Sequence, residues 1–229
     1  MSTAILHEAL ETCKRVFNEC AFFRQLAADR LSPAAIKYAF GQYGHFRVQL
    51  HRWFAACVSL NRDASQPAQR QAILALSNHI CTDLRDNHDL LFAEFLQDLG
   101  FPAGTLHSKV ESHATTAYIA SFLDDCRAPT ATWHEALAAL SGRELSVVVR
   151  NQRLLSSHFA PRTLRAPTWI TLHAELEVDH FLDLAKPALA QQPPDTTPPA
   201  FLRAIERTIR AHAHYLDALL QEHEAEHQP

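Results

Sequence analysis

The stretch SGRELSVVVRNQ, residues 141–152, decides the fold. Three consecutive valines inside SVVV (146–149) would suit a strand. They sit instead in a longer pattern of helical period: Leu137, Leu140, Val147 and Val148 recur at three- and four-residue steps and share a face with Glu144. Read as helix, this segment removes the best strand signal in the chain. What remains is divided by breakers: LSP at 31–33, NRDASQP at 61–67, LGFPAG at 99–104, RAPT at 127–130, FAPRTLRAPT at 159–168 and QQPPDTTPP at 191–199. Ser32 fits an N-cap, with Pro33 at the first helical position. Between the breakers lie helical segments at about 4–29, 33–61, 66–99, 105–126, 130–158, 167–190 and 199–225. Only 5 of the 229 residues are glycine, which disfavours tight turns and bulges. The expectation is one all-α domain over 1–229, a bundle of about seven helices with a proline-rich loop at 193–199 before the last.

Composition narrows the function classes. With 47% apolar residues the chain can bury a large core. A formal net charge of -4 and the lack of a basic run argue against nucleic acid as the partner. No run of 18 apolar residues suggests a membrane span, and MSTAILHEALETCKR is not a signal sequence, so the cytoplasm is the expected compartment. Five scattered cysteines, Cys13, Cys20, Cys57, Cys81 and Cys126, read as reduced thiols. The histidine-rich tail HAHYLDALLQEHEAEHQP reads as a solvated helix end.

Three helical faces carry polar groups where the pattern calls for apolar ones. In HAELEVDH (173–180), Glu177 lies about 40° from His173 and His180 about 20° to the other side, while Glu175 and Asp179 point away. Imidazoles and a carboxylate on one apolar stripe must be paired or bound to metal. The plain alternative is exposed polar residues or a buried His–Glu pair. His88 has Leu84, Leu91, Phe92 and Phe95 as helical neighbours, so it faces inward; a lone core histidine is often only hydrogen-bonded. Glu144 needs a cation, a metal or a proton. Arg143, Arg150 and Arg153 are near in sequence but off its stripe. They read as a solvated face or, alternatively, as a clamp for a substrate carboxylate, with Arg150 and Arg153 the candidates. Mixed imidazole and carboxylate donors suit iron or manganese.

About seven helices, Glu144 in the fifth and an H-x3-E-x2-H run in the sixth resemble the haem-oxygenase-like diiron oxidases and oxygenases. These are the non-haem iron branch of the superfamily that also holds thiaminase-II-like and PQQ-synthase-like (TenA and PqqC-like) proteins. HDLLFAEFLQDLGF (88–101) is similar to the family's His-bearing third helix, and the resemblance spans about residues 10 to 220. It implies a metal site of His88, Glu144, His173, Glu177 and His180. The family's further glutamate falls here on Cys81. Asp83 is one replacement if the helix is irregular, since on a regular helix it points about 140° from His88. Glu19, His45 or His51 from earlier helices is another, Cys81 as thiolate a third. Otherwise one iron is weakly held or absent.

The activity implied is Fe(II)- and O2-dependent oxidation of a small amino-acid-like or carboxylate substrate: N-oxygenation, oxidative decarboxylation or C–C cleavage in a specialised-metabolite pathway. Two irons are expected, the second labile. A small-molecule substrate is the expected partner, with no nucleic acid or membrane, and a homodimer is the common assembly of such bundles. The alternative is a metal-free TenA/PqqC-like enzyme or binding module, with Cys81 or Cys126 as nucleophile, or an iron-storage or interaction module without catalysis.

Overall fold

The computed structural model describes residues 2–127, 132–159, 168–190 and 199–226. Among them are ten α-helices and no strand: α1 (Ser2–Glu19), α2 (Ala21–Ala27), α3 (Pro33–Arg47), α4 (Leu50–Leu60), α5 (Pro67–Arg85), α6 (His88–Asp98), α7 (His113–Arg127), α8 (Trp133–Leu154), α9 (Thr168–Leu189) and α10 (Pro199–Glu226). The all-α expectation holds, and SVVV lies inside α8. A π-helical turn over Leu155–Phe159 extends that helix. The breakers RAPT, FAPRTLRAPT and QQPPDTTPP, and so the loop at 193–199, lie outside the described residues except for end residues belonging to flanking elements.

Caps form where the sequence offers them. Ser32 Oγ accepts from the Ala35 N–H at 3.0 Å, with Pro33 opening α3. Thr132 and Glu135 close a reciprocal capping box at the start of α8. Three of the expected long segments are each split in two, at Cys20, at Val48–Gln49 and at Asp86–Asn87. The last break matters most. Asn87 takes a left-handed conformation (φ 52), which asparagine tolerates better than most residues. Cys81 and His88 therefore stand on different helices, and the single stripe expected to join them does not exist. Leu84, expected beside His88, is 69% exposed.

α8 is the axis of the bundle, packed along α9 and α10. From Ala136 to Asn151 every residue is buried, so over that stretch α8 has no solvent face. One hydrophobic core runs from Ile5 to Leu220 around it. α10 carries the histidine-rich tail partly inside: His212 is 1% exposed and His223 9%, so the solvated reading of that tail fails for these two.

The expected helix over 105–126 starts late, at His113. Residues before it run as irregular chain across α3, where the Ser108 N–H donates to the Gly41 carbonyl at 2.8 Å. Gly44 permits that crossing: a Cβ there would stand 2.0 Å from the Leu106 carbonyl oxygen. Because the obstacle is backbone, Gly44→Ala is expected to lower stability by about 1–3 kcal/mol or more. Equilibrium urea unfolding measures this, and a variant as stable as wild type would contradict the crossing.

Candidate metal centre

α5, α8 and α9 bring four side chains to one buried point. His79, Glu144, Glu177 and His180 each offer a ligand atom, and these atoms all lie within 4.8 Å of one another. His79 Nε2 is 3.9 Å from Glu144 Oε1, and its ring lies 4.0 Å from that of His180. Glu177 and His180, three residues apart on α9, share a face, and His180 Nδ1 is in short contact with Glu177 Oε2. Glu175 and Asp179 are exposed, as the helical phase of HAELEVDH requires.

The other oxygen of Glu177 turns toward a second group. His173 Nε2 is 3.8 Å from Glu177 Oε1, while its Nδ1 lies 2.8 Å from the Trp169 carbonyl. That carbonyl can only accept, so the proton sits on Nδ1 and the Nε2 lone pair is free. The His88 and His173 rings are 4.9 Å apart. His88 Nδ1 is 3.1 Å from Asp83 Oδ1, and Arg47 bonds both Asp83 oxygens at 2.9 and 3.2 Å. Asp83 thus comes close because the helix breaks after it, and it acts on His88 from behind. Among the earlier candidates, Glu19 faces Arg210, His45 bonds Ser108 and lies near Glu111, and exposed His51 stands at the surface. Cys81 is exposed.

The position left open by Cys81 is met by His79, which the sequence reading did not single out. A signal was present: Ala72, Leu76 and His79 follow the four- and three-residue steps of a buried face, and all three are buried. Phe54 of α4 packs its ring 4.3 Å from His79. A cleft of about 30 Å³, lined in part by Arg47, His51, Phe54, His79 and Asp83, reaches this histidine from the surface. It has room for a water or two.

The electrostatics leave Glu177 with no permanent cation, only a proton shared with His180. Burial holds His79 and His173 down at about 3, so both are neutral and able to act as ligands. Burial alone would raise Glu144, but Arg143 bonds both of its oxygens at 2.8 and 2.9 Å and, with His79, holds it down at about 2. Arg143 therefore does pair with Glu144, although it lies off the stripe, because adjacent side chains on a fully buried helix can curl together. Glu177 has no such guanidinium, and burial followed by the charge of Glu144 pushes it up to about 7. Burial opposes charge on His180 too, yet its bond to Glu177 prevails and raises it. Two buried carboxylates thus share one arginine. The second must hold a proton or meet another cation.

The remaining arginines do not form the solvated face anticipated for them. Arg143 and Arg150 are buried, at 2% and 1% exposure. Arg153 lies farther out, bonded to Asn18 Oδ1 at 2.6 Å and the Lys14 carbonyl at 3.2 Å.

No family model and no curated protein matches the chain by sequence. Solved structures do match in shape. A TenA family transcription regulator from Silicibacter sp. TM1040 superposes with a TM-score of 0.70 at 16% identity, over 96% of each chain. The bundle has the TenA-like fold. A TenA homolog from Pseudomonas syringae pv. tomato str. DC3000 aligns at 0.69 and 14% identity, over 96% of this chain and 92% of that one. A CADD-like protein of unknown function from Nostoc punctiforme PCC 73102 aligns at 0.66 and 16% identity, over 97% and 99%. At such identities the likeness establishes the fold, and chemistry rests on the residues above.

The proton balance gives a testable pH dependence. Glu177 is raised from its ordinary value to about 7, so below that pH the folded, metal-free chain keeps a proton there that a metal must displace. His79 and His173, held at about 3, have none to lose. The apparent affinity for Co(II) should climb as pH rises through about 7, with protons released from Glu177 and His180 on binding, and flatten only once His180, raised by its bond to Glu177, has lost its proton as well. Calorimetric titration in buffers of different ionisation enthalpy checks this, and affinity independent of pH over that window would refute the shared proton.

Proposed function

We propose that the protein is an iron-dependent oxidoreductase that uses O2 to oxidise a small amino-acid-like or carboxylate substrate, by N-oxygenation, oxidative decarboxylation or C–C cleavage. The observation that carries this reading is the pair of buried carboxylates with one guanidinium, bonded to Glu144, beside the neutral imidazoles of His79 and His173 and with His180 sharing a proton with Glu177. Imidazole and carboxylate donors in that mixture suit Fe(II) better than a thiolate-loving metal. His79, Glu144, Glu177 and His180 would hold one ion; His88 and His173, with the free oxygen of Glu177, would hold a second. Because Arg47 already engages Asp83, the second group has fewer free carboxylates and the weaker grip. Bound iron would supply activation of O2.

The chain itself orients and shields. The Trp169 carbonyl fixes the tautomer of His173, Asp83 orients His88, and Phe54, Phe92 and Trp169, each at most 1% exposed, keep bulk water from the imidazoles. Our reading also places the protein in the reducing cytoplasm, where its five free thiols would persist.

The metal-free alternative draws on the TenA-like fold and on Arg143, which already satisfies Glu144. Among the described residues neither cysteine expected in that role is a thiol held inside the bundle in activated form. Cys126 is fully buried and burial pushes its thiol well above the ordinary value, while Cys81 is exposed on α5.

Anaerobic reconstitution separates the two. The full chain should bind between one and two Fe(II) and give a transient visible absorption when O2 is admitted with substrate. His79→Ala should lose most of the tighter iron, and His173→Ala only the weaker. No iron above background in the wild-type chain, or full content in His79→Ala, would overturn the assignment.

A further inference from the structure

A second polar group lies in the core next to the candidate metal centre. Its hub is Tyr43, 1% exposed. Arg143, already bound to Glu144, donates from Nη2 to the Tyr43 hydroxyl at 3.2 Å. The Arg150 guanidinium lies over the Tyr43 ring at 4.4 Å and over Phe40 and Trp169 at 5.2 and 5.4 Å. The His212 ring meets Tyr43 edge-on at 6.2 Å, and its Nδ1 is 3.0 Å from the Tyr118 hydroxyl. Buried nitrogens without a hydrogen-bond partner among the described residues concentrate on these side chains: Arg143 Nε, Arg150 Nη1 and Nη2, Trp169 Nε1 and His212 Nε2. Native cores rarely leave so many together.

Arg150 is the extreme case. It is 1% exposed, its one hydrogen bond within 3.5 Å runs from Nε to Asn151 Oδ1 at 3.0 Å, and its charge also bears on the Tyr43 hydroxyl. A guanidinium keeps its proton, so a full positive charge stands in the core with no carboxylate paired to it among the described residues. Three aromatic faces offset part of that cost. They leave the N–H bonds of Nη1 and Nη2 unmet. Those two nitrogens form the open end of the fork, spaced to receive both oxygens of one carboxylate. Burial and the nearby guanidinium groups hold His212 well below its ordinary value, so it stands there as a neutral ring able to donate or accept. Among the described residues no acidic side chain bonds Arg150, so an ammonium beside the carboxylate would meet no counter-charge from them.

We propose that Arg150, with His212 and the Phe40–Tyr43–Trp169 walls, is a binding site for a small carboxylic acid with an apolar or aromatic body and no α-ammonium group. Calling this acid the substrate rests on the oxidase reading; its binding needs no metal. The site narrows the substrate class from amino-acid-like compounds to simple carboxylates. Arg143 joins the site to the metal centre, because one guanidinium touches both Tyr43 and Glu144. A bound acid is fully desolvated there, so its charge contributes strongly.

The test uses 3-phenylpropionate as probe, with 3-phenylpropanamide as its neutral isostere and L-phenylalanine as its α-ammonium analogue. Each is titrated by calorimetry into the full chain, once with chelator and once with Co(II). One saturable site for the acid is expected, with amide and amino acid at least tenfold weaker. Arg150→Met should abolish the preference for acid over amide. Should that variant not fold, Arg150→Lys, a point charge without the fork, should weaken the acid at least threefold. Equal binding of acid and amide by the wild-type chain, or wild-type affinity in an Arg150 variant, would overturn the site. Equal binding of L-phenylalanine would overturn the exclusion of amino acids, and displacement by equimolar inorganic phosphate would assign the site to a free anion instead. Iron content measured beside these titrations keeps the two ideas apart: acid binding without iron sinks only the oxidase reading, and iron without acid binding sinks only this site.

Discussion

Arg143 bonds both oxygens of Glu144 in the middle of a helix with no solvent face, and the rest of the centre is arranged around that pair. Removing either partner would leave a bare charge in the core. The pair also fixes what its neighbours can be. Glu177 stands close enough for the two carboxylates to repel, yet Arg143, the guanidinium that bears on it, is engaged by Glu144. His79 and His173, held neutral, can only accept a cation, while His180 offers Glu177 a proton that a metal ion would replace. A divalent ion is the simplest object that satisfies every donor at once.

In the proposed reading the same arginine couples chemistry to recognition. Through Nη1 it holds a candidate ligand, and through Nη2 it holds the tyrosine over which Arg150 lies. A change of charge at either end is felt at the other across one planar group. This gives a physical reason for an arginine rather than a lysine at 143, since an ammonium cannot reach two partners in fixed directions.

The fold was legible because breakers and period agree: few glycines, clear caps, and valines that keep helical spacing in α8. What escaped was local. Asn87 looked like one more polar residue, yet its left-handed turn divides a segment that reads as continuous, which separates Cys81 from His88 and brings Asp83 beside it. His173, Glu177, His180, Glu144 and His88 announce themselves by standing among apolar neighbours. His79 does so as well, on the buried face of Ala72 and Leu76, two residues before the position where a carboxylate was expected. The arginines were misjudged for a general reason. On a helix buried all round, angular position no longer separates inside from outside, so Arg143 and Arg150 are core residues despite lying off the Glu144 stripe.

The central claim is that a metal ion completes the charge balance among His79, Glu144, Glu177 and His180. Crystals grown anaerobically with Fe(II), with diffraction recorded on both sides of the iron absorption edge, test it most directly. The account predicts an anomalous peak within bonding distance of all four side chains. Crystals that show no peak there, with Arg143 still closed on Glu144 and Glu177 bonded only to His180, would contradict it.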